Sequence, residues 1–394
     1  MERQQAIDCD VVIIGSGIIG LTLCNSLLKL GCRVGLVDKK MPSAHKHIID
    51  TTQQAWVSAL ARPGQALFKK IGIWQELVQT AVPYQYMEVI MHHGEQIAFS
   101  HRDIGQENLG HIVNNTMAIQ LLWRQLSSWK GQLYLFEDQP VSWCGDTRTL
   151  ALQSGVICTS TILIGADGAG SWTRAASGID LSINTRIEDH AHIGIINHNQ
   201  PHQNRARQVF YEKGVIGLLP AQDPCQSICV WSTGKKNNDA SHPSVAQLEN
   251  ELNQVFRTDH YRLSSGWKRH AIHTQQACRY VNKNVALVGD AAVCVHPLAG
   301  QGLNIGLRQV TFLTQKISAA LRANALDDFF DYARSYESDC RGYDALSLQV
   351  INWCRTSTAS RGVAQSVMGW GAQFINQSSY IKHLMIRHAL EADC

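Results

Sequence analysis

Short apolar runs, each closing on a glycine, punctuate this chain. Val11 to Ile14 runs into Gly15, Ile162 to Ile164 into Gly165-Ala166-Asp167-Gly168, and "NVALV" into Gly289-Asp290. Runs of this length without polar alternation predict strands buried on both faces, as in a parallel sheet. After the first run the pattern predicts a helix over about Ile18 to Leu30, stopped by Gly31, and then "CRVGLV" as a second strand ending at Asp38. Further on, "ARQVF", "GVIGLLP" and "SICVWST" alternate or run apolar over strand lengths, with turn residues between them. They predict an antiparallel sheet over residues 181 to 270, joined by a smaller part at about 76 to 100. The class is α/β.

The first turn has chemistry in it. Gly15, Gly17 and Gly20 match G-x-G-x-x-G between a strand and a helix. The first glycine permits the tight turn, the second lets backbone approach a pyrophosphate, and the third lets helix and strand pack closely. The helix N-terminus then offers N–H groups and partial positive charge to phosphates. Asp38 stands where an acid accepts hydrogen bonds from a ribose. This motif predicts dinucleotide binding and leaves FAD and NAD both open. Asp167 and Asp290 repeat the theme, each an acid at the C-terminal end of a strand, where parallel sheets bind ligands.

Composition narrows the partners. The chain has 394 residues, enough for two or three domains, and is 45% apolar and 17% charged. Lys plus Arg number 35 against 32 acids, so the net charge is +3, and no basic run grips phosphates: no nucleic acid is expected. Twelve cysteines show no CxxC pair, which predicts free thiols in a reducing compartment, the cytoplasm. "MERQQAIDCD" has the wrong charge for a signal peptide, and no apolar run is long enough to span a bilayer. His190 and His192 share one face of a possible strand, but two ligands do not make a metal site, and no metal is expected. No G-x-S-x-G occurs, so a nucleophile-elbow hydrolase is not expected.

Three motifs in this order, G-x-G-x-x-G, "GADGAGSWTR" and "GDAAVCVHPLAGQGLN", resemble the aromatic flavoprotein monooxygenases related to p-hydroxybenzoate hydroxylase. "LGHIVNN", "ARQVFYEKGVIGLLPAQDP" and "SICVWS" look like the ubiquinone-biosynthesis hydroxylases of that family, above all those acting on a 2-polyprenylphenol. The resemblance covers about residues 8 to 345. It implies a Rossmann-like FAD-binding domain of residues 1–75, 101–180 and 271–340 and an inserted antiparallel-sheet substrate domain of residues 76–100 and 181–270; the last fifty residues carry no family signal, and residue spacing alone predicts a C-terminal helical segment, 341–394.

The same resemblance implies how FAD is held. Gly289 and Asp290 would serve its ribityl and pyrophosphate part, and Asp167 and Gly168 belong to a second acidic motif serving FAD. The loop from His296 and Pro297 to Gly300, Gln301, Gly302 and Asn304 would pass along the flavin, and Gln120 stands near an expected His or Gln. Backbone N–H groups near Gly302 would stabilise negative charge on the reduced ring. The implied reaction is ring hydroxylation of a lipophilic phenol through a flavin C4a-hydroperoxide, with O₂ and with NAD(P)H or another donor, such as a ferredoxin, as transient co-substrate. No side chain is named as catalytic.

The chain departs from the family pattern at Trp56, Asn114, Ile119, Val293 and Gln309, where Arg, Glu, His or Gln, His, and Asp are usual. Neighbouring residues substituting for the lost groups is one reading; weakened flavin affinity is the other. The rivals to a hydroxylase are therefore a catalytically weakened FAD-binding partner in a ubiquinone-biosynthesis complex and a flavin oxidase or dehydrogenase. From Ala345 to Leu390 there is no acid, while Arg355, Arg361, Lys382 and Arg387 supply charge. Val363, Val367, Trp370 and Phe374 lie at helical spacing, so the segment predicts either packed helices or an amphipathic surface peripheral to the inner membrane face.

Overall fold

A computed structural model describes residues 6–42, 54–91, 95–185, 190–233, 245–258, 260–264, 267–295 and 301–357. His296, Pro297, Gly300, the side chain of Gln301 and everything after residue 357 lie outside the described residues.

The three apolar runs are neighbours in one sheet. Ile7–Ile14 pairs in parallel with Ile157–Gly165 on one side and Val34–Asp38 on the other. Ile157–Gly165 in turn pairs in parallel with Val285–Leu287, and Val34–Asp38 with Leu133–Glu137. An antiparallel strand, Val281–Asn282, and a hairpin of Pro140–Cys144 and Thr149–Leu152 complete the sheet. In this register Ile14 stands opposite Gly165, and Gly165 opposite Leu287. The strands therefore end level, and their next residues leave the sheet side by side.

The helix after the first strand, Ile18–Leu28, is buried from Gly20 through Leu28. Apolar apart from Thr22, Asn25 and Ser26, whose side chains bond back to helix carbonyls, it lies between the sheet and two further helices, Asn115–Leu126 and Gln301–Arg322. Leu21, Leu27, Leu122, Val310 and Leu313 belong to the same core. The helix ends two residues before the expected Leu30, because Leu30 and Gly31 close a turn on the carbonyls of Leu27 and Leu28, with Gly31 at φ +88.

A second large sheet runs in the order Arg262–Leu263, His190–Asn197, Gln226–Thr233, Gly214–Pro220, Arg205–Tyr211, Tyr86–Ile90, Gln96–Ser100. It is antiparallel except where Arg205–Tyr211 meets Tyr86–Ile90 in parallel. Two three-stranded sheets lie outside these two. One joins Val57–Leu60, Gly110–Asn114 and Val82–Tyr84; the other joins Leu181–Thr185, Thr274–Ala277 and Val293–Cys294. A single helix, Phe329–Ser357, runs across position 341 and packs on Gln301–Arg322. No helix among the described residues is long and apolar enough to cross a membrane, none of their cysteines is bridged, and they hold no cluster fit for a metal.

Candidate functional site

Three loops leave the level strand ends together. In the first, close packing dictates glycine: a Cβ on Gly15 would run into the Ala166 carbonyl, and one on Gly20 into the Gly15 carbonyl. Gly17 differs, since a Cβ there would meet nothing among the described residues within 4 Å. Gly17 also begins the helix without a side-chain cap and without an acid in the first turn. The first-turn N–H groups thus face an open recess with the helix dipole behind them. Asp38 ends the neighbouring strand, and its Oδ2 accepts from Ser16 N at 2.6 Å and Ser16 Oγ at 2.8 Å. Ser16, the variable residue of the turn, holds that acid at the mouth of the recess.

In the second loop Asp167 turns inward. Its carboxylate accepts from Ser171 Oγ at 2.5 Å, Thr173 N at 2.9 Å and Thr173 Oγ1 at 3.0 Å, which fixes the loop and caps the short helix Trp172–Ala176. Gly168, at φ +78, makes the turn that leaves the loop's outer face as bare backbone. The second and third loops are then stitched to each other. Arg174, buried, donates to the carbonyls of Ala291 at 3.1 Å and Ala169 at 3.0 Å. Gln275 donates to Ala169 O and, at 3.4 Å, to Asp290 O. Gln275 carries no motif, and Arg174 is legible only as the last residue of "GADGAGSWTR".

In the third loop Gly289, at φ +63, donates its N–H to Gln309 Oε1 at 2.6 Å. The turn presents Asp290 to a recess that solvent reaches but protein surrounds, and that desolvation pushes its carboxyl up. Beyond it, Gly302 lies in the first turn of Gln301–Arg322, and among the described residues a Cβ there would touch only Val295 Cγ2 at 4.0 Å. Asn304 is committed elsewhere: its amide accepts from Ala61 N at 2.9 Å and donates to Ala59 O at 2.8 Å. It anchors the start of that helix to the strand Val57–Leu60. Gln120 is half-buried on Asn115–Leu126.

Most positions that depart from the family pattern have structural work. Asn114 caps Asn115–Leu126 by accepting from Met117 N at 2.9 Å, a task at which Asn excels. Ile119 packs against the main core, Val293 is buried in it, and Gln309 carries the Gly289 bond. Trp56 is 46% exposed, and nothing in the structure explains it.

A cavity of about 280 Å³ opens between the small sheet and the second large sheet. Val57, Ile112, Met117, Ile195, Pro220 and Ile228 give it apolar walls, and Asn114, Gln222 and Gln226 a polar edge. Val57, on the cavity wall, begins the strand whose Ala59 carbonyl Asn304 holds, so one strand runs from the cavity toward the helix Gln301–Arg322.

The recess fits a long anionic dinucleotide: it brings together an uncapped helix N-terminus, acids at the ends of two strands, Asp38 and Asp290, and bare glycine backbone. Fold and loops together define a Rossmann-type flavoprotein. The chain belongs to the FAD binding domain family, whose model matches residues 8–345. A 3-demethoxyubiquinol 3-hydroxylase of Escherichia coli (strain K12) is 26% identical over 346 residues, 86% of this chain and 83% of the relative. Ubiquinone hydroxylase UbiL of Rhodospirillum rubrum is 27% identical over 394 residues, 97% of this chain and 89% of the relative. Among solved structures, p-nitrophenol 4-monooxygenase PnpA of Pseudomonas putida DLL-E4 shares the fold with a TM-score of 0.76 at 15% identity, over 98% of this chain and 99% of that one. The protein is an FAD-dependent aromatic-ring monooxygenase, related to the hydroxylases of ubiquinone biosynthesis.

Proposed function

We propose that the protein hydroxylates the aromatic ring of a polyprenylated phenol in ubiquinone biosynthesis, using O₂ and a transiently bound NAD(P)H or other electron donor. The observation that carries this reading is the cavity with apolar walls between the small sheet and the second large sheet, on the strand Val57–Leu60 that Asn304 ties to the helix beginning near Gly302. Its volume is at the low end for small-molecule sites, enough for a substituted ring but not for a long tail. The prenyl chain would leave through the open side.

The chain's own groups divide the work. The Gly17 helix end would take the pyrophosphate, Asp38 the ribose, and Asp290 the ribityl hydroxyls. First-turn N–H groups near Gly302 would stabilise charge on the ring without a counter-ion. Ile195, Ile228 and Met117 give a bound ring apolar walls that would displace water from around it, and Asn114 and Gln226 offer hydrogen bonds to orient a phenol. When bound, FAD supplies the electron-carrying and oxygen-activating chemistry that side chains lack. In this division residues 1–75, 101–180 and 271–340 serve the flavin, and 76–100 with 181–270 cover the substrate.

The substrate is lipophilic, and the acid-free stretch 345–390 with its four bases supports peripheral contact with the inner membrane face and with other ubiquinone-biosynthesis proteins. The deciding experiment is restoration of quinone synthesis in a hydroxylase-deficient cell. Growth with disappearance of one accumulated phenol is expected. A yellow, FAD-loaded protein that restores nothing and consumes no donor with any phenol would point instead to the weakened partner.

A further inference from the structure

Asp344 lies deep beneath the third loop and touches none of the groups assigned to the cofactor. It is 1% exposed on the helix Phe329–Ser357. Its Oδ2 accepts from Gln309 Nε2 at 2.9 Å and from Tyr280 OH at 3.0 Å, and Tyr280 OH accepts from Gln276 Nε2 at 3.1 Å. Gln309 is 1% exposed, and its other amide atom, Oε1, receives the Gly289 N–H. A primary amide has one donor end and one acceptor end, and both ends of Gln309 are in use. The direction of the chain of bonds is then dictated from below. An ionised carboxylate only accepts, so it draws Nε2 toward itself and turns Oε1 to Gly289.

We propose that Asp344, acting through the Gln309 amide, is a positioning residue that holds the Gly289–Asp290 turn in the shape it presents to the cofactor. The idea rests on the reading of that turn as part of the FAD site. If Asp344 is protonated or replaced by an amide, the carboxylate position can donate as well as accept. Gln309 then gains a second orientation, in which its NH₂ faces the Gly289 N–H and the bond is lost.

The surroundings leave Asp344 as the switchable member. Tyr336 and Cys340 on its own helix and Tyr280 from the segment before Val285 are all pushed up by burial and stay neutral. Arg308 on Gln301–Arg322 is the nearby cation, stacked over Tyr343 with its guanidinium carbon 3.8 Å from the ring centroid. Burial raises the Asp344 carboxyl to about 6, against the lowering pull of Gln309, Tyr280 and Arg308. The ionised form is thus costly to the fold, and at neutral pH the chain holds it nonetheless.

That cost separates positioning from simple support. Freed of FAD, the full-length Asp344→Asn protein should melt at the same temperature as the FAD-free parent at pH 7.5, or higher, because a buried charge is gone. Amide exchange at Gly289 should quicken by about tenfold, the factor of one weak hydrogen bond, and the FAD dissociation constant should rise by a similar factor. Parent protein taken below pH 6 should lose Gly289 protection, after correction for intrinsic exchange, and the variant should show no such step. Gln309→Met keeps the length, removes the acceptor, and should loosen Gly289 even if Asp344→Asn folds poorly. Unchanged Gly289 exchange in both variants would overturn the proposal, as would a melting temperature of the FAD-free variant well below that of the FAD-free parent. If the parent takes up no FAD while Gly289 still responds to Asp344, the cofactor reading fails and the positioning link stands.

Discussion

The Arg174 guanidinium donates to the Ala291 carbonyl at 3.1 Å, joining loops whose bonded residues lie 117 positions apart. A second bond to Ala169 makes the side chain a clamp between them. Replacing it with Met keeps the stem and removes both charged donors, leaving the buried Ala291 carbonyl short of a partner while the Ala169 carbonyl keeps Gln275. Hydrogen bonds to charged groups are worth about 1.5–3 kcal/mol each. Arg174→Met should therefore lose about 2–4 kcal/mol of unfolding free energy in urea titration. FAD affinity, read by flavin fluorescence, should fall at least tenfold.

Two glycines of the first turn should fail in opposite ways. Gly17 faces open space, so Gly17→Val should fold with a loss of about 1 kcal/mol at the helix cap. It should nonetheless come off the column colourless, since the new methyls stand where the pyrophosphate would lie. Gly20 abuts the Gly15 carbonyl, so Gly20→Ala should destabilise the apoprotein itself by about 2 kcal/mol or more. Calorimetry of both apoproteins separates the two outcomes.

Asp290 carries a pH signature. Burial raises its folded-state pKa above the usual 3.8, so the fold favours the protonated form. Its contribution to stability is present below about 3.8 and is lost as pH rises through the raised value. Asp290→Asn should thus gain on the parent in apoprotein stability between pH 4 and pH 7.5, measured by urea unfolding at each pH. Its affinity for FAD should drop, because an acceptor for ribityl hydroxyls has been weakened.

Filling the cavity should spare the cofactor. Ile228 lies on the wall of the second large sheet, away from the three loops. Ile228→Trp should leave flavin content and colour unchanged. It should abolish the acceleration of flavin reduction that a phenol substrate gives, as stopped-flow absorbance would show. Loss of FAD in this variant would place the cavity inside the cofactor site rather than beside it.

Much of this arrangement is readable along the chain because buried parallel strands announce themselves locally. Val11–Ile14, Ile162–Ile164 and "NVALV" are continuous apolar runs ending in glycine, and all three end level in one sheet. What escapes such reading is held by side chains without a pattern. Gln275 clamps two loops from a strand with no motif, and Asp344 acts from a helix beyond the last diagnostic stretch. The parallel pairing of Tyr86–Ile90 with Arg205–Tyr211 has no local signal either, since strand partners distant in sequence are chosen by tertiary packing. Asn304 shows the opposite case. The motif assigns it to the cofactor, but in the structure its amide is spent on the backbone of Ala59 and Ala61.

The Gln309–Asp344 bond also sets a schedule for biogenesis. Domains tend to fold as units while the chain is still emerging from the ribosome, N-terminal parts first. Here the pyrophosphate turn is made within the first two dozen residues, yet the turn at Gly289 lacks its support until Asp344 has been synthesised. On this role for Asp344, a nascent polypeptide arrested short of that position should hold the nucleotide more weakly than the full chain does.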